Sequence, residues 1–351
     1  MHIKLIQNIE ELYSVREDWN NLFEKCSESI FIHYSWVYNN YRVFGQTPLI
    51  IVIYNDNKEM IAALPFTIKP FKIKSFTYQA LSHGTTDATD YACFLISPNA
   101  NSRLIIKRVI QYLLDIQKDR WHFYKFDNLS DGSTTSSLFR HVLLKELYGG
   151  EIVAEITPII DFSRVYEEPK KASNINRRFK KIVNKCNISH KKGKDILPYD
   201  MAQFSKIHQH SYPNSAFDSD KNQDFYRSLI EDHTFGSQVI LSSIKEDETL
   251  VASHFGFIDS DTFYYYVPTY DENFSQFGPG QFLLRTLVED AKKNECHSFD
   301  LLRGSESYKY NWVNRIQNNY SVLAVRNNDK LLTKLLVNFW LIRRSLPFFK
   351  N

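Results

Sequence analysis

Five polar residues lie at the end of one short apolar run near the C-terminal end of the sequence, or just past it. The run, residues 297–302, has the length and composition of a buried strand. The five residues are Asp300, Arg303, Glu306, Tyr308 and Lys309. Carboxylates can accept a proton, a phenol can donate one, and a lysine can bind an anion or stabilise developing negative charge. The pattern therefore predicts a site that combines proton transfer with anion binding.

A second candidate site is the turn Phe277-Gly278-Pro279-Gly280, which no regular element can cross, because glycine reaches unusual φ values and proline lacks an N–H. Apolar residues at helical spacing follow directly: Leu283, Leu284, Leu287, Val288 and Ala291. The turn therefore predicts a helix N-terminus whose first backbone N–H groups, with Gln281, can hold a phosphate. An ordinary tight loop without a ligand is the alternative.

Together, the two groups resemble the acetyltransferase-like domain of the FemAB-related part of the GNAT superfamily, of the type linked to cellulose and exopolysaccharide operons. The matching positions, in order, are Gly278-Pro279-Gly280, Leu284, Ala291, Phe299-Asp300, Arg303-Gly304, Glu306, Tyr308-Lys309 and Trp312. An ordered match of this length is far more specific than a lone glycine turn. Two departures are Glu295-Cys296, where a glycine usually ends the helix, and Gln276, which lies one residue too close to the glycines to open a pyrophosphate loop.

The resemblance implies an N-acyltransferase that uses acetyl-CoA or another acyl-CoA as co-substrate and no metal. The segment from Phe277 to Gln281 would bind the CoA. The implied acceptor is an amino group on a sugar, or on a sugar-linked intermediate of cell-surface polysaccharide synthesis. One alternative is a Fem-type transfer from aminoacyl-tRNA to a peptidoglycan precursor. Another is a non-catalytic scaffold in a polysaccharide synthesis complex.

Acyl transfer to an amine assigns a role to each of the polar residues past the predicted strand. Asp300 or Glu306 takes the proton of the amine, and Tyr308 returns a proton to the leaving thiolate. Lys309 binds a phosphate or carboxylate, or stabilises the developing charge. The resemblance supports Tyr308-Lys309, because an aromatic–lysine pair serves the reacting carbonyl in Fem peptidyl transferases. The structural alternatives are an ion pair between Asp300 and Arg303 and the packing of Tyr308 on Trp312.

Candidates for contact with the acceptor are Arg303, His254, Tyr266, Trp36 and Asp90. The first three lie on or beside predicted strands near the glycine turn. Trp36 lies in a helical stretch dense in aromatics, where core packing is the alternative, but the resemblance places a Trp at the floor of a substrate cleft. Asp90 shares a polar loop with His83 and Asp87, and binding residues are often found on such loops.

An internal repeat predicts the domain organisation. Residues 47–68 align without a gap to residues 237–258, with Ala62 opposite Ala252, and each reads as two apolar strands around an acidic turn. In each half, a helix and a strand containing Phe-Asp follow. We therefore predict an α/β (α+β) fold of tandem GNAT-like domains, each with a mixed, largely antiparallel sheet flanked by helices. Chance similarity of two hairpins is the alternative.

The predicted boundaries give an N-terminal domain at 1–165, a basic linker at 166–195, a C-terminal domain at 196–328 and a basic amphipathic helix at 329–351. Residues 170–194 contain ten basic residues and no acid. Phe179, Ile182 and Val183 give this stretch an apolar edge, so part of it is expected to be helical. It suits a phosphate-rich ligand, an anionic membrane or tRNA, with a solvated linker helix as the alternative. Nucleic acid is disfavoured because no stacking aromatics are interleaved with the charges.

Composition adds limits of its own. The chain of 351 residues carries a net charge of only +3, which gives no general reason to bind nucleic acid. The four cysteines lie far apart and the histidines lack ligand spacing, so neither disulfides nor a metal site is expected. The N-terminus does not resemble a signal peptide, and no apolar run is long enough to span a membrane. A cytoplasmic protein is expected, with peripheral membrane contact through its terminal helix as a further possibility.

Overall fold

The computed structural model describes residues 1–73, 75–86, 88–117, 120–169, 172–213, 215–259 and 261–345. Its contacts divide the chain into unit 1, Met1–Ile156 with Gln317–Asn351, and unit 2, Thr157–Ile316. These boundaries differ from the predicted domains, because the C-terminal segment packs with unit 1. Asp87, Lys170, Lys171 and residues 346–351, which carried predictions, lie outside the described residues.

Strands and helices alternate along the chain. The strands are β1 His2–Ile6, β2 Leu49–Tyr54, β3 Met60–Ile73, β4 Phe76–His83, β5 Leu95–Ile96, β6 Phe123–Ser130, β7 Tyr148–Asp161, β8 Cys186–Lys192, β9 Val239–Glu246, β10 Thr249–Ile258, β11 Thr262–Tyr270, β12 Ser298–Asp300 and β13 Arg315–Val325. The α-helices are α1 Ile9–Tyr13, α2 Arg16–Phe23, α3 Tyr34–Phe44, α4 Ser102–Gln117, α5 Thr134–Glu146, α6 Ala172–Phe179, α7 Pro198–Ser211, α8 Asp220–Glu231, α9 Pro279–Lys293 and α10 Leu331–Ser345.

The sheet of unit 1 has the strand order β1-β2-β3-β4-β6-β13, with β5 paired to β3. Neighbouring strands are antiparallel except β4 and β6, which are parallel. Alternate residues of β2 face opposite sides: Ile51 packs into a core that includes α4 and α5, and Ile50 into a core that includes α1, α2 and α3. At the end of the chain, Val337 and Trp340 of α10 pack with Phe123 of β6. The sheet is thus covered on both faces.

The sheet of unit 2 has the order β8-β9-β10-β11-β12-β7, and only β11 and β12 are parallel. On one face, Leu284 and Leu287 of α9 share a core with Phe263 and Phe299. On the other face, α7, α8 and the 3-10 helix Ala216–Asp218 contribute aromatic rings that pack around β10. Helices therefore cover both sides of the strands that hold the predicted site.

The two units share one topology, which supports the predicted duplication. In each, four antiparallel strands are followed by a parallel strand and then by an antiparallel one. The aligned hairpins also carry a bulge at matching positions, because Ile61 of β3 and Val251 of β10 are the residues left out of register. The last strand of unit 1 is β13, and the last strand of unit 2 is the end of β7, residues 159–161.

The predicted fold class, a mixed α/β architecture with a largely antiparallel sheet between helices, is confirmed. Local differences have local causes. The N-terminal helical region is two helices, α1 and α2, because the chain breaks at Ser14 and Val15. The strand predicted at 297–302 ends at Asp300. Helix α5 was not predicted.

Candidate active site

The parallel strands β11 and β12 separate shortly after they meet. Among the described residues, β11 pairs with β12 only from Thr262 to Tyr264, although β11 itself continues to Tyr270. On its other edge, the register of β11 with β10 shifts between Phe255 and Phe257, so β11 bulges beside the point of separation. Bulges are frequent next to active sites because they redirect side chains and interrupt pairing. The result is an opening in the sheet.

A pocket of about 640 Å³ is lined by this free part of β11, by α7 with the loop after it, and by the segment after β12. Five of the predicted residues line it: Arg303, Glu306, Tyr308, Lys309 and Tyr266. These residues form one wall of the pocket. The wall from α7, which contributes His208 and Tyr212, was not predicted.

Lys309 is held in this pocket by two protein oxygens. Its Nζ donates to the carbonyl oxygen of Arg303 at 2.7 Å and lies 3.0 Å from Oε2 of Glu306. The Lys309 side chain is only 6% exposed, whereas that of Glu306 is 54% exposed. Because an ammonium has three N–H donors, these two contacts leave one for a ligand. Lys309 is thus a fixed positive charge in the pocket wall.

Gly304 allows this arrangement. Its φ of +128° is a conformation that L side chains rarely adopt, and an added Cβ would lie 2.2 Å from Oε2 of Glu306. The carboxylate of Glu306 therefore occupies the space of a missing side chain. Only glycine permits both the turn and the ion pair.

The substitution Gly304→Ala should destabilise the protein by about 1–3 kcal/mol and displace Glu306 from Lys309. Urea unfolding measures the first effect. In a Glu306→Ala background the steric clash is gone and only the backbone strain remains, so the same substitution should cost less there. Equal costs in both backgrounds would contradict the proposed contact with Glu306.

Asp300 has a different surrounding from the one predicted for a proton acceptor. It is buried at the end of β12, does not line the pocket, and its Oδ1 accepts the N–H of Leu302 at 2.8 Å. Leu302 has a φ of +58°, which is uncommon for a leucine. The carboxylate therefore helps to hold the strained turn through which the chain leaves β12 and reaches Tyr308 and Lys309.

Tyr308 is half-buried in the pocket wall. Burial raises its pKa well above the usual value, and the nearby charge of Glu306 raises it further. The phenol therefore keeps its proton at neutral pH. In this state Tyr308 can donate a hydrogen bond to a carbonyl oxygen or a leaving group in the pocket.

The predicted anion cradle is an uncapped helix N-terminus. Gly278, with a φ of +66°, precedes α9, and no side chain caps the helix. The N–H of Phe282 is bonded to the Gly278 oxygen at 3.1 Å, and Pro279 has no N–H. Within the described part of the chain, the N–H groups of Gly280 and Gln281 have no acceptor. They are therefore available to an anion, with the positive end of the helix dipole behind them.

The first turn of α9 connects to both sides of the opening. An added Cβ on Gly280 would lie 3.2 Å from the ring of Tyr270, the last residue of β11. The Oε1 of Gln281 accepts from Nε1 of Trp312 at 3.4 Å. Phe277 and Pro279 face the core side instead. Of the five residues predicted to bind the cofactor, it is therefore the backbone of Gly280 and Gln281 that is open to a ligand.

Arg178 stands beside this helix end and was not singled out in the sequence. It belongs to α6, whose Phe179 stacks on Phe282 of α9 with ring centroids 4.0 Å apart. The Arg178 guanidinium donates to the oxygens of Ser275 and Gln276, and its Cζ lies 3.7 Å from the position of a Cβ on Gly278. Part of the basic stretch is thus folded against the predicted cradle, where its charge favours a phosphate.

His254 is fully buried and supports the bulge of β11. Its Nε2 accepts the N–H of Tyr266 at 3.1 Å, and its ring stacks on Tyr265 at 4.5 Å. Gly256 leaves room for the imidazole, since a Cβ there would lie 2.3 Å from His254 Cε1. Burial and the nearby His190 lower the pKa of His254 to about 3. It does not line the pocket, so it is placed to hold the pocket wall and not to contact an acceptor.

This low pKa predicts acid sensitivity. An unfolded chain takes up a proton on His254 near its ordinary pKa of about 6.5, but the folded chain resists protonation down to about 3. Stability should therefore fall by about 1.4 kcal/mol per pH unit as the pH drops through this window. His254→Gln keeps an acceptor near Tyr266 without titrating, so its stability should fall less steeply by that amount. Parallel slopes in urea titrations at pH 6 and pH 4 would contradict the assignment.

Trp36 and Asp90 lie in unit 1. Trp36 is fully buried, with its Nε1 donating to Thr89 at 2.9 Å and its ring packed on Phe31. Asp90 is also buried, and its main-chain oxygen accepts from Asn319. Neither residue is among those that line the pocket of unit 2.

Two buried residues form a pair that sequence reasoning missed. Nδ1 of His208, on α7, lies 2.6 Å from Oδ2 of Asp218, and His208 lines the pocket. From the sequence, the only role weighed for this histidine is that of a metal ligand, and the spacing of the histidines does not support one. Among the described residues, no group of three or more His, Cys, Asp or Glu side chains could hold a metal ion.

Comparisons with known proteins agree with this geometry. Residues 170–310 match the family model described as an acetyltransferase (GNAT) domain. The crystal structure of FemX matches with a TM-score of 0.60 at 11% identity, covering 92% of this chain and 97% of that one. The protein has a GNAT-like fold. The C-terminal domain of an Agrobacterium fabrum protein described as a lysylphosphatidylglycerol synthetase also matches, with a TM-score of 0.58 at 10% identity over 94% of this chain and 97% of that one.

At such low identity, these structures show the GNAT-like fold alone. No curated protein matches the sequence. The predicted resemblance to the GNAT superfamily and its FemAB-like members is confirmed at the level of the fold. The link to cellulose and exopolysaccharide operons stays a prediction.

Proposed function

We propose that unit 2 is an N-acyltransferase that moves an acetyl or other acyl group from acyl-CoA to an amine. The acceptor we propose is an amino sugar, or a sugar-linked intermediate of cell-surface polysaccharide synthesis. The match of residues 170–310 to an acetyltransferase domain supports the reaction class. The polysaccharide context rests on the resemblance of residues 278–312 to the operon-linked family.

The observation that carries the proposal is the open N-terminus of α9. Among the described residues, the backbone N–H groups of Gly280 and Gln281 lack a protein acceptor, and the Arg178 guanidinium lies 3.7 Å from the Cβ position of Gly278, directly before the helix. Backbone amides at a helix N-terminus with a neighbouring arginine suit the diphosphate of CoA. The same turn touches Tyr270 and Trp312, so a ligand held there can extend into the opening between β11 and β12.

The far end of that opening suits the reacting thioester. The carbonyl oxygen of the thioester gains negative charge as the amine attacks, and donors fixed in advance stabilise this charge. Lys309 has one N–H to offer, and Tyr308 has its phenol. Because protein contacts already hold Lys309 in place, little reorganisation is needed during the reaction. We assign the acyl carbonyl to this pair.

The acceptor would occupy the pocket between this pair and α7. Four tyrosine side chains line its wall, and they combine flat apolar faces with hydroxyl groups. Such surfaces suit a sugar ring, which has apolar faces and a polar rim. Glu306 adds a half-exposed carboxylate that can attract an ammonium group.

Two measurements test the function. Incubation of the full chain with acetyl-CoA and a panel of amino-sugar nucleotides should give an acetylated product by mass spectrometry. Saturating CoA, at about 100 times its Kd, should raise the Tm of the full chain by about 4 °C. If CoA causes no shift but aminoacyl-tRNA serves as donor, a Fem-type transfer replaces the proposal. If neither donor binds to the folded protein, the scaffold hypothesis is favoured.

A further inference from the structure

The pair formed by His208 and Asp218 has the geometry of an activated base. Their side chains are 5% and 6% exposed, and Nδ1 lies 2.6 Å from Oδ2. A carboxylate only accepts hydrogen bonds, so Nδ1 carries the hydrogen. In the neutral imidazole, the lone pair that can take a proton then lies on Nε2. A histidine oriented by a buried carboxylate is the arrangement that general-base catalysis requires.

The surroundings fix the ring with Nε2 accessible from the pocket. Phe204 stacks on His208 at 5.9 Å with an interplanar angle of 11°, and Phe217 packs on it at 5.0 Å. His208 lines the pocket, and among the described residues Nε2 neither has a protein partner nor is fully enclosed. Packing thus determines the ring position, and the pocket supplies the space in which a substrate group can reach Nε2.

We propose that His208 is the general base of the acyl transfer and that Asp218 positions it; this rests on the proposed function. The acceptor enters as an ammonium, and Nε2 removes one proton. The amine lone pair then attacks the thioester carbon, a C–N bond forms and the C–S bond breaks. The second proton leaves the nitrogen and ends on the CoA sulfur, giving the thiol. The imidazolium, paired with Asp218, releases its proton to solvent and restores the base.

The two carboxylates predicted from the sequence are less suited to this step. Asp300 does not line the pocket and holds the N–H of Leu302. Glu306 is paired with Lys309 and half-exposed. Proton removal by Glu306 would also break the ion pair that fixes Lys309. On its pocket side, the ring of His208 packs on Tyr212 at 5.2 Å, and no described hydrogen bond or ion pair engages its Nε2.

The test compares His208→Asn with His210→Asn, a matched change at an exposed position of the same helix. Asn keeps a donor toward Asp218 but cannot accept the proton. In His208→Asn we expect kcat at pH 7 to fall by about 100-fold or more, with the KM of the acyl donor nearly unchanged. Added imidazole should restore part of the rate. The His210 variant should resemble the wild type.

The pH profile separates catalysis from a structural role. Titratable or charged groups that face His208 or line its pocket are Asp218, Tyr212, Tyr226, Tyr265, Tyr266, Arg303, Glu306, Tyr308 and Lys309. The acid limb of kcat/KM should be present in the wild type and absent from His208→Asn. Since all the other groups remain in the variant, loss of the limb would assign it to His208. Asp218→Asn should lower the rate by about 10-fold or more, and it supplies the test if the histidine variant fails to fold.

Two results would overturn the assignment in different ways. If wild-type turnover is intact and His208→Asn stays within about 3-fold of it, His208 is structural and the acyltransferase proposal survives. If the wild type neither binds CoA nor forms product, the proposed function itself fails, and the base assignment with it.

A second, independent observation is the outer face of α10 in unit 1. Its exposed apolar residues are Leu331, Leu332, Leu335, Phe339 and Ile342. At about 100° per residue, these positions fall within an arc of about 100°. The opposite side is buried through Val337 and Trp340. From residue 330 to residue 345 the sequence has four basic residues and no acid. No helix in the described part of the chain is long and apolar enough to cross a membrane.

We infer that this face binds the surface of an anionic membrane. Lys334 and Arg343 lie on opposite flanks of the apolar stripe at the helical spacing given above. Lys334 contacts neutral groups, the oxygen of Asn327 and the ring of Tyr148, so these contacts do not cancel its charge. An apolar stripe between cations matches acyl chains below negative headgroups.

Vesicle cosedimentation of the full chain tests this. Binding to phosphatidylcholine vesicles should rise by about 10-fold when phosphatidylglycerol is included, and it should weaken with salt. Leu332→Glu with Leu335→Glu should abolish it, whereas Val165→Glu, at another exposed apolar position, should not. Absence of binding to the mixed vesicles would overturn the inference. If sedimentation velocity then showed a dimer that the double variant lacks, the face would be an interface between copies of this chain.

Discussion

Methionine in place of Lys309 should lower kcat by about 100- to 1,000-fold, and the KM of the acyl donor should stay within about 3-fold of the wild type. Methionine has nearly the length of lysine and keeps the packing of the buried stem. It removes the N–H groups that bind the Arg303 oxygen and, in the proposed reaction, the acyl oxygen. Because the charge on that oxygen develops only in the transition state, the rate should suffer more than binding.

Stopped or continuous assays of CoA release, with a saturating donor, measure this effect. Lys292→Met, at an exposed position near the end of α9, is the matched control and should behave like the wild type. Some loss of Tm is expected in Lys309→Met, since a buried hydrogen bond to a charged group stabilises a protein by about 1.5–3 kcal/mol. A folded Lys309→Met protein with nearly normal kcat would show that Lys309 only supports the loop.

The part of the site that the sequence predicted is the part encoded locally. Arg303, Glu306, Tyr308 and Lys309 follow one short strand, so their place at the end of that strand is fixed by a few bonds. The glycine turn is equally local, because its φ preference and missing N–H act within one helical turn. Asp300 shows the limit of such local prediction. The pattern located the residue at the strand end, but it did not indicate that the carboxylate accepts a hydrogen bond from the N–H of Leu302.

The missed residues depend on contacts between distant segments. Arg178 reaches the oxygen of Gln276, 98 residues later in the chain, and nothing in a basic run says which of its charges will be used. A catalytic role for His208 is indicated only by its contact with Asp218, which lies 10 residues later, beyond the end of α7. A histidine and an aspartate at that separation form no recognised spacing. For both Arg178 and His208, the sequence shows the residue but not the group that it contacts.

The two units differ in their boundaries from the predicted domains for a topological reason. A strand pattern predicts a strand but does not identify its neighbour, and β13 pairs with β6 of unit 1 although it follows unit 2 in the chain. In the same way, β7 pairs with β12 of unit 2. The repeat predicted two similar units correctly in kind. The two aligned hairpins carry no sequence signal for these pairings between strands that are far apart in the chain.

Aspartate at position 280 should weaken acyl-CoA binding by about 100-fold while leaving the folded protein as stable as before, or more stable. The new carboxylate would lie in the first turn of α9, where it can accept hydrogen bonds from the free N–H groups. Its charge also interacts favourably with the helix dipole, which stabilises the folded protein by about 0.3–1 kcal/mol. For the CoA diphosphate, the same carboxylate is a competitor and a like charge. Loss of two hydrogen bonds to a charged group, each of about 1.5 kcal/mol or more, accounts for the expected factor.

Gly280→Ala separates charge from size. An added Cβ meets the ring of Tyr270 at 3.2 Å in either variant, and that side chain is exposed enough to move. Alanine should therefore change the donor KM by only about 3-fold, whereas aspartate raises it strongly and shows a higher or equal Tm without ligand. Isothermal titration with CoA distinguishes the two. If both variants bind CoA as the wild type does, the diphosphate does not lie on α9, and the donor site must be sought elsewhere on unit 2. If both variants lose binding equally, the donor requires the close approach of the backbone at Gly280 and not its free N–H groups.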